Sequence, residues 1–357
     1  MYKLDFKSQK TWGALASIAV IAGVLASVLA WTAGWFGSRT VSQSLVSETP
    51  KPFPAGFRRA HGKGICFAGT FTPDGAATSL STARLFSQSK TPVVGRFSIG
   101  TGNPHSADTS TKTLSMALLL KTDDKQQWRM AMNNVPFFAT RDPEGFLAMP
   151  KALAVDGSTG KPDPQRLAAF LKAYPEAKKY LAWAAQTPAP GSFSGATFNS
   201  INAFYLVDAQ GHKQPVRWMM RPHDLFMPLD ETVRQKVDHD FLFEGISQRL
   251  AQKPIYWDMV LQLAQPGDPV DDPSQPWPDD RKKVVAGTLE VTRVETQSTG
   301  ACRDVNFDPS IVPAGVAVSD DPILNARSAA YSHSFSRRER EIGYGKATEA
   351  VQKQEVK

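Results

Sequence analysis

Eight runs of residues between positions 64 and 295 carry the hydrophobic pattern of β-strands: "GICFAGTFTP", "TPVVGRFSIG", "TLSMALLLKT", "QWRMAMNN", "NSINAFYLVDAQG", "KQPVRWMMRP", "YWDMVLQLAQ" and "KVVAGTLEVTRVE". Many alternate apolar and polar residues. Others are rich in the β-branched and aromatic side chains that suit a pleated, half-buried surface. The runs form two groups of four, separated by the helical stretch "DPQRLAAFLKAYPEAKKYLAWAAQ". Pro175 should kink or divide that helix, because proline lacks the N–H an inner turn needs. A second helical stretch, "DETVRQKVDHDFLFEGISQRLAQ", interrupts the later group. The pattern predicts a mainly β protein with helices (α+β), its eight antiparallel strands closed into a barrel that leaves no exposed edge. A two-sheet sandwich is the rival on pattern alone. From Asp304 onward prolines are frequent and no clear strand follows, so a long segment is expected to wrap the barrel.

The N-terminus reads differently. From Trp12 to Phe36 about 25 residues pass without a charge, enough to cross a bilayer. Trp12, Trp31 and Trp35 mark its ends, where indole rings favour the interface. Lys3, Lys7 and Lys10 precede it. The positive-inside rule then keeps residues 1–11 in the cytoplasm, makes 12–36 a single-pass inner-membrane anchor and exports the rest to the periplasm. A signal peptide cleaved after "VLA" is the rival, although signal cores are usually shorter. Residues 37–56 are polar and proline-containing and read as a linker, and residues 346–357 as a polar tail.

Charge and cysteines narrow the classes. The formal charge of +7 is spread over scattered lysines and arginines with no basic–aromatic array, which argues against a nucleic-acid partner. Cys66 and Cys302 form no CxxC and no zinc cluster. Export to an oxidising compartment permits a disulfide between them, and two buried thiols fit equally well.

Four short motifs carry candidate chemistry: "RRAHGKG" (58–64), "GRFSIGTGNPHSADT" (95–109), "NNVPFFATRDPEGF" (133–146) and "NARSAAYSHSFSRR" (325–338). Singly each is weak. A lone histidine after a linker is usually structural, the glycines at 100 and 102 make no phosphate loop, and the phenylalanines after Asn134 could be core. In the last motif Arg327 lies four residues before Tyr331 and Arg338 seven after it, so on a helix all three share one face.

Taken in order, these motifs resemble the haem catalase family. "RRAHGKG" is similar to its distal-histidine motif and "NNVPFFATRDP" to its distal-asparagine motif. "FDPSIVPAGVAVSDDPILNARSAAY" (307–331) is similar to the approach to its proximal tyrosine. The resemblance runs from about Phe57 to Arg338 and implies a catalase-like haem domain over residues 57–345. A long N-terminal arm and the later helical domain of large catalases have no counterpart, and "SAAYSHSF" is smaller and more polar than usual. The chain therefore resembles the small, membrane-anchored, catalase-related peroxidases.

The resemblance implies a b-type haem with Tyr331 as axial ligand to iron. Arg327 would stabilise the phenolate by charge and hydrogen bonding, and Arg58, Arg96 and Arg338 would pair with the haem propionates. His61 would be the distal acid/base, Asn133 would orient peroxide, and Ser98 would fix the histidine ring through its other nitrogen. Phe146 would lie against the haem. His105, His212, His223, His239 and His333 fall outside the matched positions and read as loop or surface residues. The implied function is a peroxidase that reduces hydrogen peroxide or organic peroxides with an external donor, either membrane-linked or a small molecule. A minimal catalase and a non-catalytic haem sensor or carrier are the alternatives.

Overall fold

Strand pairing closes on itself. The computed structural model describes residues 54–343 together with Ser17, residues 20–25, Ser27, Val28 and Ser44. The expected anchor at 12–36 lies largely outside the described residues, and among those described no helix is long and apolar enough to cross a membrane. The chain divides into two units, Met1–Thr40 and Val41–Lys357, and the second holds every element below. Its strands are β1 (Gly64–Pro73), β2 (Thr91–Ile99), β3 (Leu114–Lys121), β4 (Gln127–Asn133), β5 (Ala189–Pro190) and β6 (Phe198–Asn199). They continue with β7 (Phe204–Val207), β8 (Lys213–Pro222), β9 (Pro228–Leu229), β10 (Ile255–Leu263), β11 (Lys283–Thr296) and β12 (Val316–Val318). The order β10-β11-β1-β2-β3-β4-β6-β8, with β8 returning to β10, is an eight-stranded antiparallel barrel. Closure satisfies the backbone groups that a sandwich would leave at its edges.

The barrel is filled by the inward halves of the alternating runs. The Phe97 ring lies 4.4 Å from Phe67, 5.2 Å from Phe193 and 5.7 Å from Trp257, centroid to centroid. At the other end Trp128 meets Trp218 edge-on at 5.3 Å. Gly95 makes room for the first pair, because a Cβ there would come within 2.1 Å of the Phe67 ring.

Two expectations need correction. The run "NSINAFYLVDAQG" is not one strand: Ile201 sits at φ 66° and splits it into β6 and β7, which pair with opposite ends of β8. The stretch after Asp304 is not free of regular structure. It contributes β12, paired with β7, and then a 22-residue helix. Prolines at 309, 313 and 322 hid both, since β12 is only three residues long and the helix begins at one of those prolines.

The helices are α1 (Pro143–Leu153), α2 (Pro164–Ala173), α3 (Ala177–Gln186), α4 (Glu231–Arg234), α5 (Phe241–Gln252) and α6 (Pro322–Gly343). Pro175 falls between α2 and α3 and divides the predicted helix. Helix α1 is an addition, begun by Pro143 and capped by the Asp142 carboxylate, which accepts from Gly145 N at 2.7 Å.

The two cysteines are joined, Cα to Cα at 5.3 Å across a separation of 236 residues. The bond ties β1 to the loop that follows β11, and both sulfurs are fully buried. Replacing both cysteines by alanine is expected to lower unfolding stability by about 2–5 kcal/mol, measured by denaturant titration. Alkylation of the unfolded parent without reductant should add no label.

Candidate functional site

A single face of three adjacent strands forms one wall of an interior cavity. Side chains alternate across a strand, and the pairing registers align Ser98, Ser115 and Asn133 in one row and Arg96, Ala117 and Ala131 in the next. The residues between them, Phe97, Met116 and Met132, turn inward to the barrel core. A slip of one residue would exchange the polar wall for the core. Helix α6 supplies another wall through Ile323, Arg327, Tyr331, Ser334, Phe335 and Arg338. Residues 58–61, the loop at 305–307, Ile201, Phe138, Pro143 and Phe146 complete it. The space measures about 1420 Å³ with its open mouth included. It is lined by all nine residues selected from the sequence motifs. The five remaining histidines are exposed outside it.

His61 occupies a left-handed backbone position, φ 54°, where the chain enters β1. Its Nδ1 lies 3.0 Å from Ser115 Oγ. This corrects the assignment of that contact to Ser98. Ser98 is the cross-strand neighbour of Ser115 in the same row, and the imidazole lies over the middle strand instead of the outer one. Burial, then the charges of Arg96 and Arg327, push the His61 pKa down to about 4. The ring is therefore neutral near pH 7, and with Nδ1 engaged by the hydroxyl its Nε2 is left for proton transfer. Asn133 uses its carbonyl oxygen to accept from Val135 N at 2.9 Å, which leaves the amide NH₂ for a cavity guest. Phe146 packs on Phe138 at 4.8 Å between centroids, and both rings line the cavity.

On α6 the Arg327 guanidinium stands 5.9 Å from the Tyr331 ring centroid. Its hydrogen bonds go elsewhere than the phenol: to Asn202 Oδ1 and, at 2.9 Å, to Ala131 O. Asn202 in turn donates to Asp321 Oδ2 at 2.7 Å, and both are fully buried. Burial raises the Asp321 pKa while the Asn202 bond opposes it. The influence of Arg327 on the phenol is thus one of charge, and Asn202 and Asp321 hold the cation in place. Sequence reasoning missed Ser115, Asn202 and Asp321; the first two lie outside the motifs, and Asp321 lies in the approach to Tyr331 with no role assigned to it. A polar pair inside the apolar-rich "NSINAFYLVDAQG" run was the available signal for Asn202.

Three more guanidinium groups share the cavity. Arg58 donates to the backbone oxygens of Cys302 at 3.0 Å and Val305 at 2.9 Å. Arg96 donates to His61 O at 2.8 Å and Gln297 Oε1 at 2.7 Å. Gly64 clears its path, since a Cβ there would meet the Arg96 guanidinium at 2.4 Å. Arg338 is 3% exposed, and its nearest carboxylate, on Glu339, is 3.7 Å away. Burial and then mutual repulsion lower the pKa of Arg58, and the same causes bring Arg96 down to about 9. Burial likewise lowers Arg338. Arg96 Nε and Arg338 Nε and Nη2 are buried without hydrogen-bond partners. Buried cations with spare donors call for anionic oxygens from a guest. A flat macrocycle carrying carboxylates, with a metal for the Tyr331 phenol, fits this donor set, and the apolar lining of Ala117, Ala131, Phe138 and Phe146 suits its body.

An eight-stranded antiparallel barrel with a wrapped C-terminal helix and this cavity defines the catalase fold class. The chain belongs to the catalase family, whose model, described as Catalase, matches residues 55–344. It is 34% identical over 331 residues to a catalase-related peroxidase of Synechococcus elongatus, covering 92% of this chain and 96% of that one. A catalase-related peroxidase of Mycolicibacterium paratuberculosis is 32% identical over 286 residues, covering 79% and 89%. Among solved structures a fungal catalase superposes with a TM-score of 0.71 at 19% identity, over 81% of this chain and 60% of that chain. A bacterial catalase gives 0.70 at 20% identity, over 86% and 62%.

The lowered His61 pKa sets a pH dependence. The neutral imidazole persists above about 4 and is lost as pH falls through that value. The rate of reaction with peroxide should therefore be flat from mildly acidic to neutral pH and fall below it. Ser115→Ala should shift that limb and slow the reaction, whereas Ser98→Ala should leave the limb in place. Stopped-flow pH profiles of the three proteins check this.

Proposed function

We propose that the chain is a haem peroxidase that reduces hydrogen peroxide or organic hydroperoxides at the expense of an external electron donor. An oxidoreductase acting on peroxide in the catalase fold follows from the family and from relatives at 32–34% identity over most of the chain. The observation that carries the finer reading is one cavity holding His61 and Asn133 on the sheet side, Tyr331 on α6 and three arginines, two of them with unmet donors. Tyr331 would ligate a b-type haem, with Arg327 offsetting the negative charge of the phenolate, and Arg58, Arg96 and Arg338 would hold the propionates. Haem, when bound, supplies the iron redox chemistry that takes electrons to peroxide.

The protein's own part is proton handling and placement. The Asn133 NH₂ donates to a peroxide oxygen and orients it. His61 Nε2 accepts the proton from one peroxide oxygen and returns it to the departing one, while Ser115 holds the ring at Nδ1. A non-catalytic carrier has no use for this pair. Dismutation of hydrogen peroxide needs the same residues, so the balance between the two activities rests on access. Ala60, beside His61, is exposed and lines the cavity, which supports a short, open entrance for alkyl peroxides and donors.

The charge-free run at 12–36 supports a membrane anchor with the catalytic unit exported, and a membrane-linked reductant suits that placement. Alkaline carbonate should leave the protein in the membrane pellet, and release of an intact chain beginning near Trp31 would instead mark a cleaved signal.

His61→Ala is expected to retain haem and to lose about 10²–10⁴-fold in peroxide reactivity. In the parent, donor oxidation with an alkyl hydroperoxide should exceed oxygen release from hydrogen peroxide. Vigorous oxygen release with no alkyl hydroperoxide turnover would identify a catalase.

A further inference from the structure

Beyond the cavity wall lies a second group of rings. Phe138 lines the cavity, and its N–H is fixed to Pro273 O at 2.8 Å. The preceding residue, Phe137, is buried outside the cavity lining and meets Trp183 of α3 edge-on, 6.4 Å between centroids. Trp183 stacks with Tyr180 one turn earlier, 6.2 Å apart and 29° from parallel. Both of these rings are partly exposed. The helix end that carries them is fastened, since Lys112 Nζ donates to Thr187 O at 3.0 Å and Lys179 Nζ to Gln275 Oε1 at 3.1 Å. The order from cavity to surface is thus phenylalanine, phenylalanine, indole, phenol.

Indole and phenol are readily oxidised by one electron, and phenylalanine is not. The barrel tryptophans Trp128, Trp218 and Trp257 are at most 3% exposed, so no outside molecule reaches them. Trp183 and Tyr180 combine an oxidisable ring, contact with solvent and, through Phe137 and its chain neighbour Phe138, a connection to the cavity wall. Lys178 and Lys179 are exposed on the same helix and add positive charge near the pair. Burial raises the Tyr180 pKa, so that phenol is protonated at neutral pH and must release its proton as its electron leaves.

We propose that Trp183 and Tyr180 form a surface oxidation site where phenolic or aryl-amine donors too large for the cavity surrender electrons one at a time. The inference rests on the peroxidase reading. Overall, ROOH and two ArOH give ROH, H₂O and two ArO•: the O–O bond breaks and takes two electrons and two protons, one of each from either donor. Trp183 gives one electron toward the haem pocket and recovers it through Tyr180 from the donor at the surface, so neither residue is consumed.

The test uses the full chain loaded with haem, as parent, Trp183→Phe and Tyr180→Phe. Electron paramagnetic resonance of samples frozen after one equivalent of hydrogen peroxide should show an aromatic radical in the parent that is lost in Trp183→Phe. Oxidation of the bulky sulfonated phenolic dye phenol red should fall about tenfold in both variants, while oxidation of small guaiacol stays within about twofold. After excess peroxide without donor, peptide mass spectrometry should find oxygen added to Trp183 in the parent. Unchanged radical yield and unchanged dye oxidation in both variants would overturn the proposal with the peroxidase reading intact. A parent that oxidises neither donor would overturn both.

Discussion

Uncompensated positive charge in one interior cavity is the constraint around which the site is arranged. Arg58, Arg96 and Arg338 enter one cavity, repel one another and, for two of them, keep donors that no protein atom satisfies. An unpaired buried charge is among the most costly features a fold can carry. The fold accepts it by binding two of the three cations to protein oxygens. Backbone oxygens of residues 302, 303 and 305 hold Arg58, and His61 O, Gly62 O and Gln297 hold Arg96. The Cys66–Cys302 bond anchors the loop that supplies the first set, which links the disulfide to the position of the Arg58 guanidinium as well as to stability. An anionic guest would complete the arrangement, and the protein is then most stable when loaded.

The barrel gives this cavity its reactive wall through register alone. Antiparallel pairing puts Ser98, Ser115 and Asn133 side by side, and barrel closure keeps the strands from sliding. His61 is held from two directions, its ring by Ser115 and its backbone oxygen by Arg96. Its strained φ is therefore maintained by contacts on both sides, and His61 is tied through its backbone oxygen to Arg96, one of the buried cations of the cavity.

Much of this was legible in the chain. Alternation located seven of the eight barrel strands within a few residues, because each is half buried and the pleat imposes a period of two. The four motifs led to the residues that line the cavity. What escaped has a physical reason in each case. The break at Ile201 depends on a backbone conformation that no side-chain pattern announces. Ser98 and Ser115 are both serines on the right strand face, and only the lateral position of the imidazole decides between them. Asn202 reaches Arg327 across a separation of 125 residues and Asp321 across 119, through contacts that the fold alone creates. The sandwich and the barrel differ only in whether β8 meets β10, a long-range pairing that no local pattern carries.

The central claim is that Tyr331 is the ligand around which the arginines and the sheet wall are organised. The optical spectrum of the haem-loaded full chain, recorded beside Tyr331→Phe at equal protein concentration, tests it most directly. The account predicts a phenolate-ligated ferric spectrum in the parent, and loss of haem or a changed spin state in the variant. Equal haem content with an unchanged spectrum in Tyr331→Phe would contradict it.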